Sequence, residues 1–193
     1  MPSRPRRILL CVLCGVLFAP IAGAHVLRRA ETPSLPGEPL SPLLVQTLRL
    51  DPASVRTLGI YSSRDGGDVD VVYGRRVGGA ECLIAVGHGG TGAGCGGLFA
   101  RGPVAILEGS SGGPKLERRS NLEVVGWARP NVARVAIVDT SGRTREAPLN
   151  ENSAFVLEFG AAELQAGVGP AELVAEDKTG AELMRLDLSE PGS

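Results

Sequence analysis

The stretch DVDVVYGRRVGGAECLIAVG, residues 68–87, decides the fold. In its first half apolar and polar side chains alternate, so Val69, Val71 and Tyr73 fall on one face of an extended chain. The glycine-rich VGG then reverses the chain, and ECLIAVG follows as a second run of β-forming residues. The stretch therefore predicts an antiparallel β-hairpin.

Similar signals continue almost to the C-terminus of the chain. Further strands are predicted at PVAILEG (103–109), LEVVGWA (122–128) and SAFVLEFG (153–160), and two further hairpins at 133–150 and 171–188. With 27 glycines, 14 prolines and only 4% aromatic residues, the composition favours many short strands around an aliphatic core. We therefore expect a mainly-β protein with an antiparallel β-sandwich, apolar between its sheets and polar outside.

Three segments carry a resemblance to a known group of proteins. LEVVGWARPNVARVAIVDTSGRT (122–144) has Gly126 and Pro130 before a hairpin, LNENSAFVLEF (149–159) follows, and AELVAEDKTGAEL (171–183) closes the pattern. Together they resemble the immunoglobulin-like domains of uncharacterised exported proteins of GC-rich Gram-positive bacteria. The resemblance implies an immunoglobulin-like sandwich at the cell surface, and it carries over no catalytic or binding residues.

The first 24 residues predict export. Several arginines precede an apolar run, residues 8–24, which ends in the small residues AGA of a cleavage site. The run is short for a membrane span, so a cleaved signal peptide and an uncleaved anchor helix both remain open. In either case residues 25–193 are expected to lie outside the cytoplasm.

The rest of the chain is expected to have a linker followed by two folded parts. Prolines are dense before residue 43, and LDPASVRTLG (50–59) predicts a short helix with Asp51 at its N-cap, Pro52 in its first turn and Gly59 at its end. The expected parts are a signal peptide or membrane anchor (1–24), a proline-rich linker (25–49), a small hairpin subdomain (50–113) and an immunoglobulin-like β-sandwich (114–190).

One glycine-rich segment, CLIAVGHGGTGAGC (82–95), has residues that several kinds of site use. Its G-x-G-x-x-G run would bind phosphate only if a helix began at the last glycine, and the glycine-rich sequence that follows leaves no room for one. Cys82, His88 and Cys95 are three soft ligands, whereas structural zinc sites use four. The aspartates of RDGGDVD (64–70) lack the spacing of a calcium loop. We therefore expect no cofactor and no metal site.

A small serine hydrolase is the catalytic alternative. GSSGG (109–113) resembles the nucleophile segment of serine hydrolases, and Ser111 would need His88 as its general base. No histidine follows Ser111, and His88 lies closer in sequence than the known serine-hydrolase arrangements place that base. The sequence therefore favours a non-catalytic function.

The remaining interpretation of the glycine-rich segment is a disulfide. Cys82 and Cys95 are the only cysteines after the apolar run, and an oxidising compartment would join them. A bridge that closes about 14 residues removes roughly 3 kcal/mol of unfolded-chain freedom. The sequence therefore predicts that a Cys82–Cys95 disulfide holds a glycine-rich loop with His88 at its tip.

These observations predict a non-catalytic extracytoplasmic binding or structural module, secreted or anchored to the plasma membrane. Its partner is expected to be a protein or a cell-envelope component. We expect the chain to contact the membrane only through its N-terminal segment. A net charge of −1 argues against binding to nucleic acid.

A small-ligand carrier with a deep apolar cavity is a further alternative for the function. Trp127, the only tryptophan, is expected to pack in the core or at a sheet edge.

Overall fold

The computed structural model describes residues 40–64, 67–87, 90–111 and 121–189, and the expected signal or anchor lies outside them. The mainly-β prediction is confirmed. The elements are, in chain order, α1 (Pro42–Leu48), a 3₁₀ turn (Pro52–Ser54), β1 (Arg56–Ser62), β2 (Asp68–Arg75), β3 (Glu81–Gly87), β4 (Gly90–Cys95), β5 (Val104–Ser111), β6 (Asn121–Ala128), β7 (Arg134–Asp139), β8 (Thr144–Ala147), β9 (Ala154–Gly160), α2 (Ala161–Gln165), β10 (Pro170–Glu176) and β11 (Glu182–Asp187).

The described strands form three antiparallel sheets, which we name by their place in the chain. The N-terminal sheet has the order β1-β2-β3-β4, the central sheet β5-β6-β9, and the C-terminal sheet β11-β10-β7-β8. The three predicted hairpins are all present, as the pairs β2–β3, β7–β8 and β10–β11. Local sequence patterns thus predict each hairpin, because a hairpin is specified by its two runs and its turn.

The central sheet lies between the other two. Side chains alternate along a strand, so the two faces of this sheet enter different cores. On one face Val124, Phe155 and Phe159 belong to the core shared with the C-terminal sheet. On the other face Val125 and Val156 belong to the core shared with the N-terminal sheet. Both faces of the central sheet are therefore buried, each in a core shared with a different sheet.

The boundary expected after residue 113 falls in the connection between two paired strands. β5 lies before it and β6 after it, and the two pair along their full length. A second link joins the N-terminal sheet to the β8–β9 connection, where the side-chain amides of Asn150 and Asn152 donate to the Leu58 carbonyl at 2.8 and 3.0 Å. Residues on either side of the expected boundary therefore share one sheet.

The end of the expected linker forms α1 instead. Pro42 occupies the first helical turn, where its missing N–H breaks no bond, and Ser41 Oγ accepts a hydrogen bond from the backbone N–H of Leu44 at 3.3 Å. Leu48 is buried in one cluster with Val72, on the outer face of the N-terminal sheet. That face was expected to be polar, and it is apolar because α1 covers it.

The helix predicted at residues 50–59 is also corrected. Asp51 acts as the cap, since its Oδ1 accepts from the backbone N–H of Ala53 at 3.1 Å, but only one 3₁₀ turn follows. The chain enters β1 at Arg56, where pairing with β2 satisfies the backbone groups that a second helical turn would have used. Tertiary pairing here overrides a local helix signal.

Gly126 of β6 lies directly opposite Phe155 of β9, and a β-carbon at this glycine would overlap the Phe155 ring. Phe155 is fully buried, so Gly126→Ala should overpack the core and lower the free energy of unfolding by about 2 kcal/mol. Gly92→Ala on β4 is the matched control, because nothing lies within 4 Å of a β-carbon there. We expect it to change stability by less than about 0.5 kcal/mol. Urea unfolding followed by circular dichroism measures both, and equal losses would contradict the tight contact.

Candidate ligand-binding cleft

The predicted disulfide is present, with the Sγ atoms of Cys82 and Cys95 2.10 Å apart. The two residues are direct partners in the β3–β4 pair, and their Cα atoms are separated by 4.1 Å. The segment expected to be a loop is therefore largely strand, paired up to Gly87 opposite Gly90. A disulfide of this kind is favoured in an oxidising compartment.

Glycine in β4 serves packing between sheets. A β-carbon at Gly94 would lie 2.7 Å from Cδ2 of Leu107 on β5, so only glycine lets the two strands approach this closely. The sequence predicted a loop because glycine is common in loops. The need for it here comes from a neighbouring sheet, which no local pattern reveals.

The residues of the hydrolase alternative lie largely outside the described part of the chain. His88 is outside it, and so is Asp65 of the aspartate-rich segment. The backbone of Ser111 ends β5, opposite Asn121. The pairing of Ser111 with His88 therefore stays a prediction. Across the ranges described, no group of three or more histidine, cysteine or acidic side chains could hold a metal ion.

Arginines and aromatic rings form a stacked row where the N-terminal and central sheets meet. Arg56 lies over the Tyr73 ring, with its guanidinium carbon 4.9 Å from the ring centre. The Tyr73 ring meets that of Trp127 edge-on at 5.2 Å, and the Trp127 ring lies 5.3 Å from that of Phe99. Arg129 completes the row 4.3 Å above the Phe99 ring. We call these five residues the arginine–aromatic row.

A cleft of about 490 Å³ opens beside this row. It lies between the β2–β3 turn and the connection from β4 to β5, residues 96–103. Its walls include the side chains of Arg75, Glu81, Leu98 and Phe99, together with Arg129. The volume is in the range of small-molecule sites.

Backbone hydrogen bonds hold the charged residues of the cleft in place. The N–H of Arg75 donates to Ser54 Oγ at 2.7 Å, so the 3₁₀ turn fixes the end of β2. The N–H of Arg129 donates to the Pro103 carbonyl at 2.8 Å. The N–H of Gly96, next to the disulfide, donates to the carbonyl of Glu81 at 2.8 Å. The cleft is therefore built by several elements distant in sequence.

Hydrogen bonds also connect the polar side chains of the cleft. The Tyr73 hydroxyl donates to Glu81 Oε1 at 2.9 Å and accepts from Arg75 Nη2 at 3.4 Å. The bond from Tyr73 raises the pKa of the Arg75 guanidinium above its ordinary value, so this group stays charged. Glu81 Oε2 has no hydrogen-bond partner among the residues that the structure describes.

The two arginines of the cleft, and Arg56 in the row beside it, are held differently from the paired arginines of the C-terminal sheet. Arg56, Arg75 and Arg129 contact aromatic rings or a phenol, and none forms an ion pair with a carboxylate in the described ranges. By contrast, Arg134 and Arg185 on the C-terminal sheet lie 3.0 and 2.6 Å from glutamate oxygens. Aromatic contacts orient a guanidinium while leaving its N–H donors available for an anion.

A second charged cluster joins the β7–β8 hairpin to α2. The buried Asp139 carboxylate accepts from the backbone N–H groups of Ser141 and Arg143, both at 3.0 Å, and lies 3.3 Å from Arg145 Nε. Arg145 Nη2 donates to Glu163 Oε1 at 2.6 Å. That bond, helped by a backbone N–H, lowers the pKa of Glu163 from 4.5 to about 2. These charges compensate one another, as in a structural network.

Sequence reasoning missed the cleft. Trp127 lies on β6, the middle strand of the central sheet, and is half-buried against the core shared with the N-terminal sheet. Its contacts with Tyr73 and Phe99 were not foreseen. The sequence places these residues on separate elements, and only the stacking of the sheets brings them together.

Two further findings concern membrane spans and similarity to known proteins. No described helix is long and apolar enough to cross a membrane. Against known proteins, the chain has no match among family models, curated proteins or solved structures.

Proposed function

We propose that this chain is a non-catalytic extracytoplasmic binding module, and that the cleft beside the arginine–aromatic row is its ligand site. The module is either secreted or held at the plasma membrane by residues 8–24. The disulfide supports the compartment, because such bonds persist where the surroundings are oxidising. The export pattern of residues 1–24 supports it independently.

The strand order supports an immunoglobulin-like sandwich for β5 to β11. Its first, second and fifth strands make one sheet, and its seventh, sixth, third and fourth make the other. The two sheets share one core around Phe155 and Leu173. This arrangement is close to that of immunoglobulin-like domains, and it agrees with the resemblance to exported Gram-positive proteins. A fold of this kind hosts many functions, so the function rests on the cleft.

One observation carries the binding proposal. Arg75 and Arg129 line the cleft, and Arg56 lies in the row beside it. Contacts with aromatic rings or a phenol orient all three, and none forms an ion pair with a carboxylate in the described ranges, although Glu81 lies nearby. Charged hydrogen bonds from a guanidinium to an anion are roughly twice as strong as neutral ones. An anionic group bound at the cleft would satisfy donors that the protein itself leaves available.

Sulfate is a simple probe of this site, and Trp127 is the reporter because it is the only tryptophan and belongs to the row. We expect sulfate, titrated at constant ionic strength, to change the fluorescence of the folded protein in a saturable way. Arg129→Gln should weaken this binding by about tenfold, since one charged hydrogen bond contributes about 1.5 kcal/mol or more.

Arg185→Gln is the matched control, because Arg185 lies on β11 and is paired with Glu172 and Glu182. It should leave sulfate affinity unchanged. The proposal would be overturned if sulfate produced no saturable change, or if both arginine variants weakened binding to the same extent.

A further inference from the structure

We propose that the cleft takes an acidic sugar, meaning a hydroxyl-bearing ring that carries a carboxylate or a phosphate. This inference rests on the binding function proposed above and specifies the chemical class of its ligand. It follows from three features of the cleft: its two arginines, its one carboxylate with an oxygen to spare, and its apolar wall.

The charges of the cleft select a ligand with an anion at one point only. Arg75 and Arg129 both line the cleft and offer forked N–H donors, which fit carboxylate and phosphate oxygens. Glu81 lines the same cleft, and its negative charge would repel a ligand that is anionic throughout. A neutral ligand would form weaker hydrogen bonds with the two guanidinium groups than an anion does. The charged residues that line the cleft therefore favour a ligand with one anionic end.

Glu81 also selects what the rest of the ligand carries. Its Oε1 already accepts from Tyr73, while Oε2 has no hydrogen-bond partner in the described chain. A carboxylate accepts hydrogen bonds and donates none, so Oε2 can accept a hydrogen bond from a donor on the ligand. Sugar hydroxyls supply such donors, at a short distance from an anionic substituent on the same ring.

The third feature is the apolar wall. Leu98 and Phe99 line the cleft and are only partly buried, so each offers apolar surface to a ligand. A sugar ring has a face of C–H groups that can pack on such a surface while its edge forms hydrogen bonds. The cleft volume of about 490 Å³ suits a ligand of this size.

The test compares probes that separate charge from hydroxyl recognition. Glucuronate and glucose 6-phosphate carry both features, with different anions, whereas sulfate carries only charge and glucose only hydroxyls. We expect at least one of the two acidic sugars to bind ten or more times tighter than sulfate and glucose, measured by Trp127 fluorescence and thermal shift. Which acidic sugar binds better distinguishes a carboxylate source from a phosphate source.

Glu81→Gln is the decisive variant, because its amide oxygen can still accept from Tyr73 while the negative charge is lost. It should weaken acidic-sugar binding about tenfold and leave sulfate binding unchanged or stronger. Arg185→Gln should change neither. An unchanged preference for acidic sugars in Glu81→Gln would overturn the assigned role of this carboxylate.

The remaining outcomes separate this inference from the binding function itself. If sulfate binds as tightly as the acidic sugars, or if an acidic peptide binds more tightly than either, the sugar assignment is wrong and the binding function stands. If none of these probes, sulfate included, perturbs Trp127 or the melting temperature, both proposals fall.

Discussion

Replacing Arg145 with methionine should lower the free energy of unfolding by about 3 kcal/mol, because a buried carboxylate then loses its guanidinium partner. The Asp139 side chain is 0% exposed and that of Arg145 is 11% exposed. Arg143 remains 3.7 Å from Asp139, but it is 65% exposed and compensates weakly. Methionine preserves apolar contact with Phe159, over whose ring the guanidinium carbon lies at 4.4 Å. The loss therefore reports mainly on charge.

Arg134→Met is the control for this prediction. Arg134 on β7 lies 3.0 Å from a Glu176 oxygen, but its side chain is 43% exposed. An exposed ion pair contributes at most about 1 kcal/mol, so this variant should be nearly as stable as the native protein. For a chain of this size the loss in Arg145→Met corresponds to roughly 6 to 12 °C in melting temperature. Similar melting temperatures for the two variants would show that burial of the Asp139–Arg145 network does not increase its contribution to stability.

Acid provides an independent check on the same network. The hydrogen bond from Arg145 is the main cause that lowers the pKa of Glu163 from 4.5 to about 2. A lowered folded-state pKa stabilises the protein above the unfolded pKa, and the stabilisation disappears as the pH falls through the folded pKa. The stability difference between the native protein and Arg145→Met should therefore shrink as the pH falls from about 4.5 to about 2. A difference that grows over this interval would contradict the assignment.

The second large effect is expected on removing the disulfide. The double variant Cys82→Ala/Cys95→Ala should lose about 3 kcal/mol of unfolding free energy, because the unfolded chain regains the freedom that the bridge removes. It should also bind sulfate more weakly. Cys95 directly precedes the connection that carries Phe99, and Gly96 beside it donates to the Glu81 carbonyl. The bridge thus anchors one wall of the cleft.

The single variant Cys95→Ala tests whether the bond itself is responsible. Either change breaks the bridge, so the single and double variants should agree within about 1 kcal/mol. Independent, additive losses would mean that the two cysteines act separately. Urea unfolding measures all three proteins, and intact mass should show the native chain lighter by two hydrogens.

Part of the fold could be predicted because it depends on local patterns. Val69, Val71 and Tyr73 do share one buried face, and Phe155 and Phe159 share another. Cys82 and Cys95 do pair. In each case alternation, turn residues or compartment chemistry is sufficient, since none of these features needs knowledge of what lies across the sheet.

Other elements could not be predicted, because distant contacts determine them. β4 is a strand although its glycine-rich sequence predicts a loop, because β3 pairs with it and Leu107 packs over Gly94. α1 is a helix within a proline-rich segment, because its apolar residues cover a sheet face that would otherwise be exposed. The local sequence favours one conformation in each place, and burial favours another.

By itself, the sequence determined the hairpins, the antiparallel class and the disulfide, because strand alternation, turn chemistry and cysteine pairing are short-range or chemically exclusive. Only the tertiary structure decided that the central sheet is buried on both faces. It also decided that Arg56 and Phe99 meet Trp127, and that Arg129 lies over Phe99. The physical reason is that sheet stacking depends on shape and burial across whole faces, which residues distant along the chain must supply together.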